Sequence, residues 1–364
     1  MNPFVERQRD FYLKDEGRRM KAEDFHPSSF RLLPLVNGHL ENKMHTHRSL
    51  AGLIALAIIV IAASACAPFD YAQGAPTATP VPPAVAPMPA TFPITISDDA
   101  GRQVTVKTAP RRVVSLAPSN TETVYALGKG ALVVGVTQYC NYPPEAKEKP
   151  QVGGFAQIDL EKVVGLSPDL VLATNIHVKS VVPELERRGL TVVVIEPKNV
   201  DDVIGKLTTF GKLLGANDEA SRLAAQLKGR VEAVMSKVAT AKTKPRVFYE
   251  IDKTLFTPGP GSFVDDLIVK AGGVNIAFDA KGAYVQLSPE AIIAQDPEVI
   301  ILGDMNFGET PEKVKERAGW ANITAVKTGR IIPITNEDVI SRPGPRIVEG
   351  LELLAQAIYP DLFK

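Results

Sequence analysis

DLEKVVGLSPDLVLA at residues 159–173 has the same pattern as SPEAIIAQDPEVIIL at residues 288–302. Aligned without a gap, Glu161 matches Glu290, and in both copies a proline-containing turn leads into an apolar run. Each copy predicts a short helix with a glutamate near its start, a tight turn and a buried strand. The copies lie about one small α/β domain apart, which predicts two similar lobes. Two matching acidic side chains on matching lobes suit a partner that is itself two-fold symmetric.

The rest of the chain alternates between strand-like and helix-like segments. Strands are predicted at residues 94–97, 103–106, 113–116, 133–136, 170–173, 191–195, 247–251, 299–302 and 330–334. Intervening helices indicate an α/β fold with mostly parallel sheets covered on both faces. A helix predicted over 217–241 is about twice the common length and lies between the two copies. We interpret it as one long rigid helix that joins an N-terminal lobe, 94–216, to a C-terminal lobe, 242–364. In the first lobe, Ser119 and Glu122 have the spacing of a capping box.

An uncharged segment from Ser49 to Phe69 follows Arg48 and contains the small residues Ala63-Ser64-Ala65 directly before Cys66. A basic start, a short apolar stretch and small residues before a cleavage point are typical of a secretory signal. The cysteine makes the segment resemble a bacterial lipoprotein signal, in which it is lipidated. We therefore expect a signal peptide at 44–65, lipidation at Cys66 and an extracytoplasmic protein anchored to the cell membrane. An uncleaved transmembrane anchor is the alternative.

Two further segments flank this signal. Met44 begins a natural signal sequence, so we hypothesise that translation starts there and that residues 1–43 are a gene-start error. A cytoplasmic extension is the alternative. Residues 66–93 are rich in proline, alanine and threonine, which predicts an extended, unfolded tether to the membrane surface.

Composition and motifs exclude several functions. The formal net charge is zero, which argues against nucleic-acid binding. His177 is the one histidine after Cys66, so a binding site for a bare metal ion with several histidine ligands is not expected; we expect an exposed loop residue. Cys140 is interpreted as a small packing residue. Neither a Gly-x-Ser-x-Gly elbow nor a Walker loop is present, so we predict no catalytic residues, no enzyme activity and no cofactor. A purely structural lipoprotein remains an alternative class.

Several motifs in a fixed order carry a family resemblance. They are RRVVSLAPSNTETVYALG (111–128), VVGVTQYCNYPPEAKEKPQVGGF (133–155), DLEKVVGLSPDLVLA (159–173), WANITAVKTGRIIPI (320–334) and PGPRIVEGLELLAQAI (343–358). Together they resemble the helical-backbone substrate-binding proteins of ABC importers, most of all those that bind vitamin B12 and other corrinoids. The resemblance implies two α/β lobes joined by a single long helix, a ligand cleft between them and little opening and closing.

The resemblance also implies roles for particular residues. Glu161 and Glu290 would dock into arginine pockets on the two subunits of a permease dimer driven by its ATPase. Carboxylate–guanidinium pairs suit this role because they are bidentate and directional. Alternatively, each glutamate is a first-turn acid that is favoured by the helix dipole.

The cleft residues implied by the resemblance are Tyr139, Phe155, Tyr284, Asp338 and Arg342. The aromatic side chains would pack on a large flat ligand, although core or rim packing is the alternative for each. Asp338 and Arg342 would orient the ligand or form a surface ion pair. Phe155, Tyr284 and Thr174 stand where characterised corrinoid binders have tryptophan platforms, so haem or a ferric siderophore remains an alternative ligand. We expect a monomer.

Overall fold

The computed structural model describes residues 91–364. The predicted signal peptide at 44–65, the predicted lipidation site Cys66, the segment 1–43 and most of the tether lie outside the described residues. Within residues 91–364, no helix is long and apolar enough to cross a membrane.

Short strands and helices alternate along the described chain. The strands are β1 (Ile94–Ser97), β2 (Gln103–Val106), β3 (Val113–Ser115), β4 (Val133–Val136), β5 (Leu170–Ala173), β6 (Val192–Val194), β7 (Arg246–Glu250), β8 (Phe256–Pro258), β9 (Val274–Asn275), β10 (Tyr284–Gln286), β11 (Val299–Leu302) and β12 (Ile331–Pro333). The helices are α1 (Pro118–Ala126), α2 (Leu160–Gly165), α3 (Val181–Arg187), α4 (Val200–Leu214), α5 (Asn217–Val238), α6 (Phe263–Lys270), α7 (Pro289–Gln295), α8 (Pro311–Lys315), α9 (Thr324–Lys327), α10 (Asp338–Ser341) and α11 (Ile347–Ile358).

Two four-stranded sheets share one topology. Their spatial orders are β4-β3-β5-β6 and β12-β11-β7-β9, and all neighbouring strands within them are parallel. When the strands of each sheet are numbered along the chain, both sheets have the spatial order second, first, third, fourth. The predicted fold class, two similar α/β lobes joined by a long helix, is confirmed, with α5 as that helix.

The repeated sequence forms the same turn in both lobes. Ser167 and Asp296 occupy equivalent positions between helix and strand and have φ values of 47° and 44°. This left-handed conformation is uncommon for residues other than glycine, so its recurrence shows that the two turns are structurally equivalent.

An arginine stabilises each of these turns. The Nε of Arg112 donates to the carbonyl of Leu166 at 3.0 Å, and the Nε of Arg246 donates to the carbonyl of Gln295 at 2.9 Å. In return, an acid after each turn accepts the backbone N–H of the arginine: Asp169 from Arg112 and Glu298 from Arg246. Arg112 directly precedes β3 and Arg246 begins β7, the first strand in sequence of each four-stranded sheet. These hydrogen bonds therefore hold the third strand of each sheet beside the first.

The two lobes share one apolar core. Helix α5 packs against α4 of the first lobe and α11 of the second. Its buried face is lined by Ala220, Leu227, Val231, Val234 and Val238, which belong to the same apolar cluster as residues of both central sheets. A change in the angle between the lobes would therefore have to disturb packed apolar side chains as well as bend a helix.

The capping-box interpretation of α1 is wrong. The helix begins with Pro118 after Ala117, and no side chain in the described part of the chain caps its N-terminus. Proline is favoured at the first helical position because it has no N–H to satisfy, so the helix begins before the Ser119 that was assigned as its cap. Glu122 is thereby free of a capping role and lies buried within the first turns.

Candidate functional site

The carboxyl-terminal edges of the two sheets meet each other. Asn141 follows β4 of the first sheet, Asp338 follows β12 of the second, and the Nδ2 of Asn141 donates to the Oδ2 of Asp338 at 3.1 Å. Ligands of open α/β sheets bind outside the carboxyl ends of the strands. The seam between these two sets of loops is therefore the candidate binding site.

A buried ion network joins the lobes at one side of this seam. Arg346 donates from Nε and Nη2 to the two carboxylate oxygens of Glu122, both at 2.8 Å. Arg342 donates from Nη1 to the same carboxylate at 3.1 Å and to the side-chain oxygen of Asn141 at 2.6 Å. The side chains of Glu122, Arg342 and Arg346 are 2%, 8% and 13% exposed. Buried ion pairs of this kind are costly to break, because removing one partner leaves the other charge uncompensated.

Asp338 and Arg342 form an ion pair, one of the two alternatives given for them above, at 2.7 Å between Oδ1 and Nη2. The pair is not a simple surface contact, however, because Arg342 is also bonded to Glu122 and Asn141 of the other lobe. The guanidinium therefore connects the lobes, whereas the half-buried Asp338 keeps part of its carboxylate accessible.

The three aromatic residues implied by the resemblance differ in their surroundings. Tyr139 is half-buried in the loop after β4. Tyr284 is half-buried on β10, which pairs with β8 in a separate antiparallel ribbon of the second lobe. Phe155 is only 6% exposed, and its ring meets that of His177 edge-on at 5.9 Å between centroids. The two tyrosines thus offer more surface to a ligand than Phe155 does.

His177 is buried, so its assignment as an exposed loop residue is wrong. Its Nε2 lies 2.7 Å from the carbonyl oxygen of Phe155, and its Nδ1 accepts the backbone N–H of Thr174 at 3.1 Å. These contacts correspond to a neutral ring that donates from Nε2. Burial lowers the pKa of His177 to about 4, although the hydrogen bond to the Phe155 carbonyl opposes the shift. Sequence reasoning missed this because a polar loop without helical or strand periodicity carries no burial signal.

His177 should make the protein less stable as the pH falls. The unfolded histidine titrates near 6.5 and the folded one at about 4, so between these values only the unfolded state binds the proton. We expect the contribution of His177 to the free energy of unfolding to decrease by about 3 kcal/mol as the pH falls from about 7 to about 4. Chemical denaturation at both pH values measures the loss.

His177→Gln is the control for this prediction. Loss of hydration raises the pKa of Glu196 to about 7, and such a shift stabilises the protein as the pH falls, so only the difference between wild type and variant isolates the histidine. The variant should be less stable at neutral pH, and on acidification its free energy of unfolding should fall by about 3 kcal/mol less than that of the wild type. An identical pH dependence for both proteins would contradict the assigned shift.

Glu161 and Glu290 occupy equivalent exposed positions in the first turns of α2 and α7. Asp159 and Ser288 cap these helices by accepting the N–H of the third helical residue, at 3.1 and 3.2 Å. A short turn joins the C-terminus of each helix to the beginning of the next strand. The N-terminus of each helix therefore lies toward the carboxyl ends of the strands, the edge at which the seam lies. Glu161 also accepts a hydrogen bond from Arg188 at 2.8 Å.

The interlobe residues Glu122, Asn141 and Arg346 were not among the predicted site residues. One signal was available, because Arg346 directly precedes α11, where a cation opposes the helix dipole. A cation at such a position indicates a nearby anionic partner. No local pattern identified Glu122 as that partner, since the two residues are 224 positions apart.

The chain is similar to known binding proteins over the described region. The model of the periplasmic binding protein family matches residues 113–337. An uncharacterised ABC transporter substrate-binding lipoprotein of Bacillus subtilis, YvrC, is 36% identical over 281 residues, which are 75% of this chain and 88% of that protein. A cobalamin-binding protein of Halobacterium salinarum is 36% identical over 317 residues, 84% of this chain and 83% of the relative.

Solved structures give the same result. The vitamin B12-binding protein BtuF of Vibrio cholerae superposes with a TM-score of 0.61 at 25% identity, over 69% of this chain and 97% of its own. The haem-binding protein RhuT of Roseiflexus superposes with a TM-score of 0.62 at 27% identity, over 69% and 99%. These relatives are binding proteins rather than enzymes. The chain belongs to the periplasmic binding protein family and is a substrate-binding protein of an ABC transporter.

Proposed function

We propose that this protein captures a corrinoid in the seam between its lobes and delivers it to an ABC permease dimer driven by an ATPase. It acts as an extracytoplasmic monomer anchored to the membrane by a lipid on Cys66. The observation that carries the ligand class is the charge of the loops at the seam, where the half-buried carboxylate of Asp338 lies beside arginines that are already paired. The cobalamin-binding relative supports the same class.

The charge pattern favours a ligand that is rich in amide donors. Arg342 is held by Glu122 and Asp338, and Arg317 of the second lobe is held by Glu250. These guanidiniums are therefore engaged by protein carboxylates rather than left to bind acidic groups of a ligand. The rim of a corrin ring carries neutral amides, whose N–H groups can donate to a carboxylate such as that of Asp338.

Tyr139 and Tyr284 would provide the apolar contacts to such a ligand. Each is half-buried in or beside the loops at the strand ends, and an aromatic face provides contact area at a small loss of conformational entropy. In this proposal Phe155 stabilises the loop in which it lies, because its carbonyl and ring contact His177.

Haem is the second candidate ligand, and the haem-binding structural relative favours it. His177 does not suit the role of axial ligand, because both of its ring nitrogens are engaged by backbone groups. A tyrosine can ligate haem iron, so Tyr139 or Tyr284 would have to serve. Haem propionates would further require cations, and the arginines described above are already paired.

Ligand titration distinguishes these candidates. We expect cyanocobalamin or cobinamide to bind stoichiometrically in calorimetry, and haemin to bind more weakly. Tyr139→Ala and Tyr284→Ala should each weaken corrinoid binding by about 10-fold or more, because each removes one apolar contact surface. Phe363→Ala is the matched control, since this aromatic ring lies under Lys237 of α5. If haemin binds more tightly and shows the visible spectrum of tyrosine-ligated iron, the ligand is haem and the corrinoid proposal is wrong.

A further inference from the structure

A group of buried carboxylates lies at the carboxyl edge of the second sheet. Glu250 is the last residue of β7, and Asp304 follows the adjacent strand β11. Glu309 lies in the loop that leads to α8. One oxygen from each of these residues lies within 4.8 Å of the others. Glu250 and Asp304 are 0% and 3% exposed, so most of this negative charge is shielded from water.

Arg317 compensates only part of this charge. Its Nη1 and Nη2 donate to the two oxygens of Glu250 at 2.6 and 2.5 Å, and Nη2 also donates to Glu309 at 3.1 Å. Three carboxylates and one guanidinium leave an excess of two negative charges when all are ionised. Burying such an excess is unfavourable unless another cation or a proton neutralises it.

Asp304 supplies a second, independent observation. Its Oδ1 is buried and has no hydrogen-bond partner among residues 91–364. Buried polar atoms are almost always paired, so an unpaired oxygen among acids is a specific exception. Glu250 can also bind a further ligand although Arg317 donates to both of its oxygens, because each carboxylate oxygen has two lone pairs.

We propose that Glu250, Asp304 and Glu309 form a binding site for a hard divalent cation, and specifically for Ca²⁺. All three donors are oxygens, which suit calcium or magnesium rather than zinc or copper. Calcium accepts six to eight oxygen ligands in a flexible geometry, whereas magnesium requires near-ideal octahedral geometry and keeps several of its waters. A site made of several protein carboxylates therefore suits calcium better.

The cation would hold the loop after β11 at the edge of the seam. In that loop, the Nδ2 of Asn306 donates to the carbonyl of Thr335, just before the segment that carries Asp338. Arg317 repels a cation, so we expect weak binding, with a dissociation constant on the order of 10⁻⁴–10⁻³ M. The proposal concerns the apoprotein and does not depend on which ligand the seam takes.

The single tryptophan provides the test. Arg317 stacks on Trp320 at 4.6 Å from the ring centroid, and Trp320 is the chain's only tryptophan. A Tb³⁺ ion bound beside Arg317 should therefore show luminescence that is sensitised by tryptophan, saturates with concentration and is displaced by Ca²⁺. Ca²⁺ alone should also raise the unfolding temperature, because it binds the folded state.

Matched variants locate the site. Asp304→Asn should weaken Tb³⁺ and Ca²⁺ binding by about 10-fold or more, and Glu309→Gln, at a half-buried loop position, should do the same if the first variant folds poorly. Glu312→Gln, which removes an exposed acid on α8, should have no effect. The proposal is overturned if Tb³⁺ gives no saturable emission or if all variants bind with equal affinity. It is also overturned if Asp304→Asn stabilises the apoprotein while the wild type does not respond to Ca²⁺, because a proton then occupies the cluster. None of these measurements uses the transported ligand, so their outcome is independent of whether the proposed function is correct.

Discussion

Glu122→Gln should lower the free energy of unfolding by about 3–5 kcal/mol. The substitution keeps the size of the side chain but removes the negative charge that compensates Arg342 and Arg346. Both guanidiniums are largely buried; Arg346 would lose its carboxylate partner, and Arg342 would keep only Asp338. Urea denaturation of the purified protein measures the effect.

Glu352→Gln is the matched control for Glu122. Glu352 also accepts two hydrogen bonds from one arginine, Arg230, at 2.9 and 2.7 Å. That pair links α5 to α11, but its side chains are 33% and 39% exposed. Water and salt screen such a pair, so its loss should change the free energy of unfolding by at most about 1 kcal/mol. Similar losses for the two variants would show that burial does not strengthen the interlobe network.

Replacing both Glu161 and Glu290 by alanine should abolish uptake of the ligand while leaving its binding to the purified protein unchanged. Both carboxylates are exposed at the edge of the lobes at which the seam lies, so we propose that they dock on the two permease subunits. Two fixed anionic contacts orient the seam toward the channel, and specific charge pairs contribute to orientation and association more than to affinity. Uptake of labelled ligand by cells that carry the variant measures the result.

Two controls separate docking from local effects. Glu232→Ala combined with Glu312→Ala removes two exposed acids from α5 and α8 and should leave uptake intact. Arg188→Ala removes the neighbour that holds Glu161 and should not reduce uptake, since the freed carboxylate can still pair with a permease arginine. If the glutamates only favour their own helices, the double variant should lose about 1 kcal/mol of stability and transport normally.

Local patterns were sufficient where the relevant contacts are short in sequence. Helix α4 is an example, because Asn199 caps its start and Gly215, with φ of 62°, ends it. The central strands of both lobes were likewise predicted within a residue or two, since four consecutive buried aliphatic residues favour a strand that is covered on both faces. The ribbon formed by β8 and β10 was missed, because three-residue strands carry too little pattern to be recognised.

Buried polar residues could not be predicted in the same way. His177 has no neighbouring pattern that indicates burial, and its neutral state depends on backbone groups of Phe155 and Thr174. Glu250 and Arg317 are 67 positions apart, and their pairing depends on the order of strands in the second sheet. Side chains of this kind are placed by contacts that form only when the chain is folded.

The amino-acid order was thus enough to establish two repeated lobes, their parallel strands, the long helix between them and a matching glutamate on each. Those features follow from apolar periodicity and from capping within a few residues. Folding in three dimensions settled which charges are compensated: Arg342 and Arg346 meet Glu122 across the seam, and the Oδ1 of Asp304 has no hydrogen-bond partner within residues 91–364. Charges interact through space and through the local dielectric environment, so their roles depend on neighbours that are far away along the chain.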